Sequence, residues 1–234
     1  MNLIDKRIII ALDFASEQDA LAFVSRLSPD ACRLKVGKEL FTRCGPGLLE
    51  KLHAKGFDVF LDMKFHDIPN TVAQAVKTAA ELGVWMVNVH ALGGRRMMET
   101  VRERVEGLAY KPKLIAVTIL TSMEASDLQE IGLQGTPAEM VDRLARLTQR
   151  AGFDGVVCSA LEAGKIKQDL GSAFLTVTPG IRPADASADD QARIMTPEAA
   201  VANGSDYLVI GRPFTKEQDP VSALENIRKS LGEC

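Results

Sequence analysis

Apolar residues recur along the chain as short runs set between amphipathic stretches, from one end to the other. Such runs, rich in Ile, Val and Leu, read as strands buried on both faces. They fall at 7–13, 32–36, 58–65, 86–90, 113–120, 155–159, 174–178 and 207–210. Between them lie stretches with helical spacing of apolar positions, among them 16–27, 70–82 and 137–150. Helix starts carry caps: Ser16 with Asp19, Asn70, Thr136 before Pro137, and Thr196 before Pro197. A side-chain oxygen there accepts from free backbone N–H groups, and proline at the first helical position loses only a donor the helix leaves unused. Helix ends carry glycine at Gly56, Gly83, Gly152, Gly171 and Gly204, where the chain passes through a left-handed conformation.

An internal echo ties these elements together. Lys55-Gly56-Phe57-Asp58-Val59, Ala151-Gly152-Phe153-Asp154-Gly155 and Asn203-Gly204-Ser205-Asp206-Tyr207 each join a helix end to a strand. A repeated helix–glycine–strand unit means a repeated βα architecture. Eight such units in this length predict an α/β fold of the (β/α)8 barrel type, one domain over 1–234. An open, doubly wound sheet is the alternative, but no GxGxxG follows the first strand. The longest candidate loop runs from Gly180 to about Met195, a length typical of binding loops or lids.

Composition narrows the class of function. Of 234 residues, 25% are charged and 46% hydrophobic, which is ordinary for a globular protein. Net charge is −3 with the signs interspersed, so no basic stripe predicts nucleic acid or a membrane surface as partner. An anionic ligand therefore needs a local site. The apolar run from Ile8 to Leu12 is too short for a signal sequence or a membrane span, which points to the cytoplasm. Cys32, Cys44, Cys158 and Cys234 form no CxxC pair and read as reduced, mostly buried thiols.

In a barrel the chemistry gathers where strand C-termini meet. The first candidate strand ends in Asp13 and the second carries Lys35. The third ends Asp62-Met63-Lys64-Phe65-His66-Asp67, the fourth in Asn88 and His90, and the fifth runs into Thr121-Ser122. The sixth reaches Ser159, the seventh Pro179-Gly180-Ile181-Arg182, and the eighth Gly211-Arg212. Alternation puts Asp62 and Lys64 on one face of their strand, with Asp67 following within reach of Lys64. Charges are costly on a strand buried on both sides, and a cluster of them stabilises a fold poorly. Alternating aspartates and lysines do hold a lysine charged and ready to donate a proton. Gly211 permits close backbone approach and Arg212 offers a fork of donors to an anion, at the usual phosphate end of such barrels. His66, His90, Asp62 and Asp67 raise a metal site as an option. No HxH or HExxH spacing supports it, and Lys64 would set a positive charge beside the ion, so no metal is expected. His53, Trp85 and the methionines read as structural or core residues.

The run from Asp62 to Thr71, Asp-Met-Lys-Phe-His-Asp-Ile-Pro-Asn-Thr, closely resembles the signature of the orotidine 5'-phosphate decarboxylase family. The resemblance extends through Ala11-Leu12-Asp13, Leu34-Lys35-Val36-Gly37, Leu120-Thr121-Ser122, Thr178-Pro179-Gly180-Ile181-Arg182 and Val209-Ile210-Gly211-Arg212-Pro213, in order over essentially the whole chain. It implies a homodimeric barrel that converts orotidine 5'-phosphate to UMP and CO2 with no metal and no organic cofactor. It further implies that Lys35, Asp62, Lys64 and Asp67 form the charged catalytic array, and that Asp67, Ile68 and Thr71 complete the partner subunit's site. By the same resemblance Asp13 and Lys35 contact ribose hydroxyls, and Thr121, Ser122 and Pro179 belong to the substrate site, with the first two near the pyrimidine. Arg182, Gln191, Gly211 and Arg212 fall at the phosphate end. Sister enzymes of the same barrel, a 3-keto-L-gulonate 6-phosphate decarboxylase or a hexulose-phosphate synthase, share the Asp-x-Lys-x-x-Asp pattern but use magnesium, with a carboxylate where this chain has Lys35. A non-catalytic phosphosugar-binding barrel is the alternative of another class, and it would need no proton donor.

Overall fold

The computed structural model describes residues 6–183 and 194–232. Its strands are β1 (Ile8–Ala11), β2 (Arg33–Gly37), β3 (Val59–Phe65), β4 (Met86–His90), β5 (Lys113–Val117), β6 (Gly155–Val157), β7 (Leu175–Thr178) and β8 (Tyr207–Ile210). All pair in parallel in chain order, and β1 closes onto β8. The expected (β/α)8 barrel is therefore the fold. Helices α1 (Glu17–Val24), α2 (Lys38–Cys44), α3 (Pro46–Ala54), α4 (Pro69–Glu81), α5 (Gly94–Glu106), α6 (Ala125–Glu130), α7 (Pro137–Arg150), α8 (Ala160–Leu170), α9 (Pro197–Ala202), α10 (Arg212–Thr215) and α11 (Pro220–Ser230) fill the connections and follow β8. No helix among the described residues is long and apolar enough to cross a membrane.

Strand alternation sorts the core into two layers. Ile8, Ile10, Leu34, Val36, Val59, Leu61, Val87 and Val89 face outward and pack under the helices. Ile9, Ala11, Phe60, Met86, Ile115, Val177, Tyr207 and Val209 face inward and fill the barrel. At the N-terminal end the interior is closed by Arg33, whose guanidinium lies 4.1 Å over the Trp85 ring and 3.2 Å from Asp58. Two residues along β2 on the same face comes Lys35, at the opposite mouth.

The repeated motif has a physical role at the barrel floor. Gly56, Gly152 and Gly204 all take positive φ at helix ends. The aspartate two residues later turns back across the sheet. Asp154 accepts from the Leu114 N–H at 2.7 Å, Asp206 from the Thr176 N–H at 2.7 Å, and Asp58 from Arg33. Thr136 and Ser16 cap their helices as expected, and Thr196 does the same for α9. Asn70 does not cap: Pro69 takes the first helical position, Ile68 is the cap residue, and the Asn70 amide oxygen accepts from Arg104. Cys32 and Cys158 are buried thiols outside any disulfide and Cys44 is partly buried, while Cys234 lies outside the described residues. Burial pushes the Cys32 thiol up to about 12 against the opposing charges of Lys6 and Arg228, so it stays protonated.

Candidate active site

A cleft of about 250 Å³ opens at the C-terminal mouth of the barrel. Its floor is apolar, made by Ala11, Phe60, Val117, Val157 and Val209, the inward residues of five strands. On one wall stand Asp13, Lys35, Asp62 and Lys64; on the other, Thr121, Pro179, Gly180, Arg182, Gly211 and Arg212. Residues from distant parts of the chain meet here because parallel strands deliver all their C-termini to one end.

Asp62 is the hub of the charged wall. One carboxylate oxygen accepts from the Lys64 ammonium at 2.6 Å, and the other lies 3.3 Å from the Lys35 ammonium. Lys35 also lies 3.8 Å from Asp13. Burial by itself would raise the Asp62 pKa; the charges of Lys35 and Lys64 and hydrogen bonds from Lys64 and Asn88 outweigh it and hold the carboxyl below its ordinary value. Asp62 is therefore anionic at neutral pH. A Cβ at Gly37 would stand 3.2 Å from the Lys35 ammonium, so glycine there keeps the room this charge occupies.

The backbone of β3 departs from simple alternation. Leu61 pairs with Val87 and Phe65 with Val89, so a bulge lies between. Within it Lys64 has φ 52°, the sole positive value at a non-glycine among the described residues. For a residue with a Cβ that conformation costs on the order of 1–2 kcal/mol. Strain of this kind persists only where surrounding contacts over-determine it. The Lys64 N–H donates to Asn88 Oδ1 at 2.7 Å, and Asn88 Nδ2 donates to Asp62 at 2.7 Å. In the sequence Asn88 stands out only as a strand end. The signal for its role is a carboxamide at an inward position of a strand buried on both faces.

Opposite stands the cationic wall. Arg182 is buried and donates to the Ile181 carbonyl at 2.9 Å. Arg212 begins α10 directly after Gly211. A Cβ at Gly211 would stand 2.9 Å from an Asp13 carboxylate oxygen, so a larger residue there would push the Asp13 side chain aside. The loop expected from Gly180 to about Met195 is drawn together at its base, where Ile181 bridges to Met195 and the Arg182 N–H donates to the Met195 carbonyl at 3.0 Å. Gln191 lies outside the described residues.

Several expected site residues are not in this cleft. Asp67, Ile68 and Thr71 are exposed and line no part of it, Ile68 being 68% exposed. Asp67 does not reach Lys64; its carboxylate accepts from the Ile68 N–H at 2.6 Å, because the chain turns there into α4. Ser122 is exposed beside Thr121 and does not line the cleft. Ser159 belongs to the helix rather than the strand. β6 ends at Val157, and Ser159 caps α8 in a reciprocal pair with Glu162. His66 and His90 stack with centroids 5.5 Å apart instead of converging on a common point. Burial, and then the charges of His66, Lys38 and Lys64, push the His90 pKa down to about 4. Among the described residues no three His, Cys, Asp or Glu side chains stand together as metal ligands.

Fold and site together define an enzyme of the (β/α)8-barrel class, with a lysine–aspartate array at the strand C-termini. A protein-family profile described as orotidine 5'-phosphate decarboxylase / HUMPS family matches residues 6–227. The chain therefore belongs to that family. It is 65% identical over 224 residues to an orotidine 5'-phosphate decarboxylase of Chromobacterium violaceum, covering 96% of this chain and 91% of that protein. It is 60% identical to one from Saccharophagus degradans, covering 99% of this chain and all of that protein. A crystal structure of orotidine 5'-phosphate decarboxylase from Lactobacillus acidophilus matches with a TM-score of 0.86 at 40% identity, over 97% of this chain and 99% of that one.

Proposed function

We propose that this protein converts orotidine 5'-phosphate to UMP and CO2, the final step of de novo pyrimidine nucleotide synthesis, as a cytoplasmic homodimer without metal or organic cofactor. The observation that carries the reading is the Asp62 carboxylate held between the Lys64 and Lys35 ammoniums in a cleft whose far wall carries Arg182 and Arg212. Breaking the bond between C6 and the carboxylate leaves an electron pair in the plane of the pyrimidine, outside its π system. Ring resonance cannot spread that charge, so a preorganised cation must stabilise it where it forms. Lys64 supplies the cation and then gives C6 its proton, completing UMP. Asp62, beside the departing carboxylate, keeps Lys64 charged and raises the ground state by repulsion.

The remaining residues hold the substrate. Asp13 and Lys35 take the ribose hydroxyls, Thr121 and its neighbour Ser122 lie near the pyrimidine, and Pro179 belongs to the same substrate site. Arg182, Gln191, Gly211 and Arg212 take the phosphate, whose binding energy, remote from C6, drives closure over the site. Exposure of Asp67, Ile68 and Thr71 away from their own cleft supports their contribution to the partner subunit's site. Lys35 weighs against the magnesium-dependent sisters, since its ammonium sits 3.3 Å from Asp62 where a carboxylate ligand would be needed. The test is the ultraviolet absorbance of orotidine 5'-phosphate mixed with chelator-treated protein. Rapid loss of the substrate band with UMP formed is expected. An unchanged spectrum with folded protein, and turnover of a sugar phosphate once magnesium is restored, would overturn the reading.

A further inference from the structure

We infer that Asn88 is a positioning residue for the decarboxylation, the clamp that keeps the Lys64 ammonium on Asp62. The inference rests on the function proposed above. Asn88 is fully buried, on the inward face of β4 beside the bulge in β3. The bulge takes the part-buried Lys64 N–H out of the regular strand ladder, so it needs another acceptor. Asn88 Oδ1 accepts that N–H at 2.7 Å. Its Nδ2 donates at 2.7 Å to the same Asp62 oxygen that accepts from Lys64 Nζ at 2.6 Å.

These contacts close a ring. Lys64 enters it twice, through its backbone and through its ammonium, with Asn88 and Asp62 as the links. Rotating Lys64 out of its positive φ breaks the backbone bond, and moving Asp62 breaks the side-chain ones. The ring needs one planar group with a donor and an acceptor at fixed separation. The backbone N–H can only donate and the Asp62 carboxylate can only accept, which also fixes the orientation of the amide. Asparagine meets that need. Alanine offers neither group. An ionised aspartate can accept from Lys64 but cannot donate to Asp62, and it repels it. A protonated aspartate reproduces the asparagine, its O–H donating to Asp62 and its carbonyl accepting from Lys64.

The test compares kcat and KM for orotidine 5'-phosphate in wild type, Asn88→Ala and Asn88→Asp across pH, with folding followed by circular dichroism. At neutral pH both variants are expected to lose kcat on the order of 100-fold, with KM changed less than about threefold because the phosphate contacts are remote. Burial and the Asp62 charge raise the pKa of the introduced carboxyl, and its useful form exists below that pKa. The kcat of Asn88→Asp relative to wild type should therefore rise about tenfold or more as pH falls from about 8 to about 5.5. A residue that only fills the core would show no such recovery. Variants with kcat within about threefold of wild type, a deficit in Asn88→Asp that is flat with pH, or variants unfolded at every pH would overturn the positioning role. Wild-type turnover separates the two readings. No UMP from wild type rejects the decarboxylase itself, whereas UMP from wild type with unimpaired variants rejects only the role of Asn88.

Discussion

At the scale of single residues the site is an exercise in keeping charges apart from water and matched to one another. Asp62 is nine-tenths buried and anionic because two ammoniums and an amide converge on it. Lys64→Ala removes both the cation and the proton donor, and kcat should fall on the order of 1000-fold or more. Lys35 and Asn88 still satisfy Asp62 in that variant, so the thermal unfolding midpoint should move by only a few degrees. Turnover near wild type would reject the proton-donor role. His90 makes a different prediction. It is neutral in the fold down to about pH 4, whereas an unfolded histidine takes a proton near 6.5. Below about pH 6.5 the unfolded state thus binds more protons, and native stability must fall as pH falls through that window. Asp62, with its depressed pKa, adds loss only at lower pH. Replacing His90 by glutamine should flatten the decline of the unfolding midpoint between about pH 6.5 and 4.5, leaving the smaller contribution of His53, also depressed by burial. An unchanged slope would mean that His90 gains its proton without penalty.

At the scale of elements, helix starts and stops follow local chemistry closely. Pro69, Pro137, Pro197 and Pro220 stand at the first turn of their helices, and positive-φ glycines end several of them. Strand ends follow it less well. β5 and β6 stop before the apolar pattern does, at Val117 and Val157. In β6 the reason is visible: Ser159 and Glu162 form a reciprocal cap, which begins α8 and ends the extended run. Ser159→Ala should lower stability by about 1 kcal/mol, measured from the urea midpoint, with kcat retained. A large loss of kcat at unchanged stability would return Ser159 to the active site. Gly155 shows tertiary control of the same strand, since a Cβ there would collide with the Leu175 carbonyl oxygen on β7.

The whole molecule raises the question of how Asp67, Ile68 and Thr71 act when their own cleft does not contain them. In the proposed dimer each site combines Lys64 of one chain with Asp67 of the other. Mixing inactive Lys64→Ala with inactive Asp67→Ala then restores one intact site in each mixed dimer. Since a two-fold interface reassorts at random, recovery of about one quarter of wild-type activity is expected after subunit exchange. No recovery, with mixed dimers verified by native mass spectrometry, would show that each chain completes its own site.

Much of this protein was legible in the order of its residues. Alternating apolar runs, proline and glycine at helix boundaries, and the helix–glycine–aspartate–strand echo determined the barrel, because each depends on neighbours within a few positions. Strand ends rich in charge pointed to Lys35, Asp62 and Lys64, since buried charge is costly wherever the strand lies. Three features were decided only in the folded molecule. The bulge in β3 depends on register against β4, the positive φ of Lys64 depends on the Asn88 amide across that register, and the exposure of Asp67 depends on where the chain turns into α4. Each is set by a contact between residues that the sequence keeps apart or by a turn whose direction the barrel imposes, and no local pattern encodes such a contact.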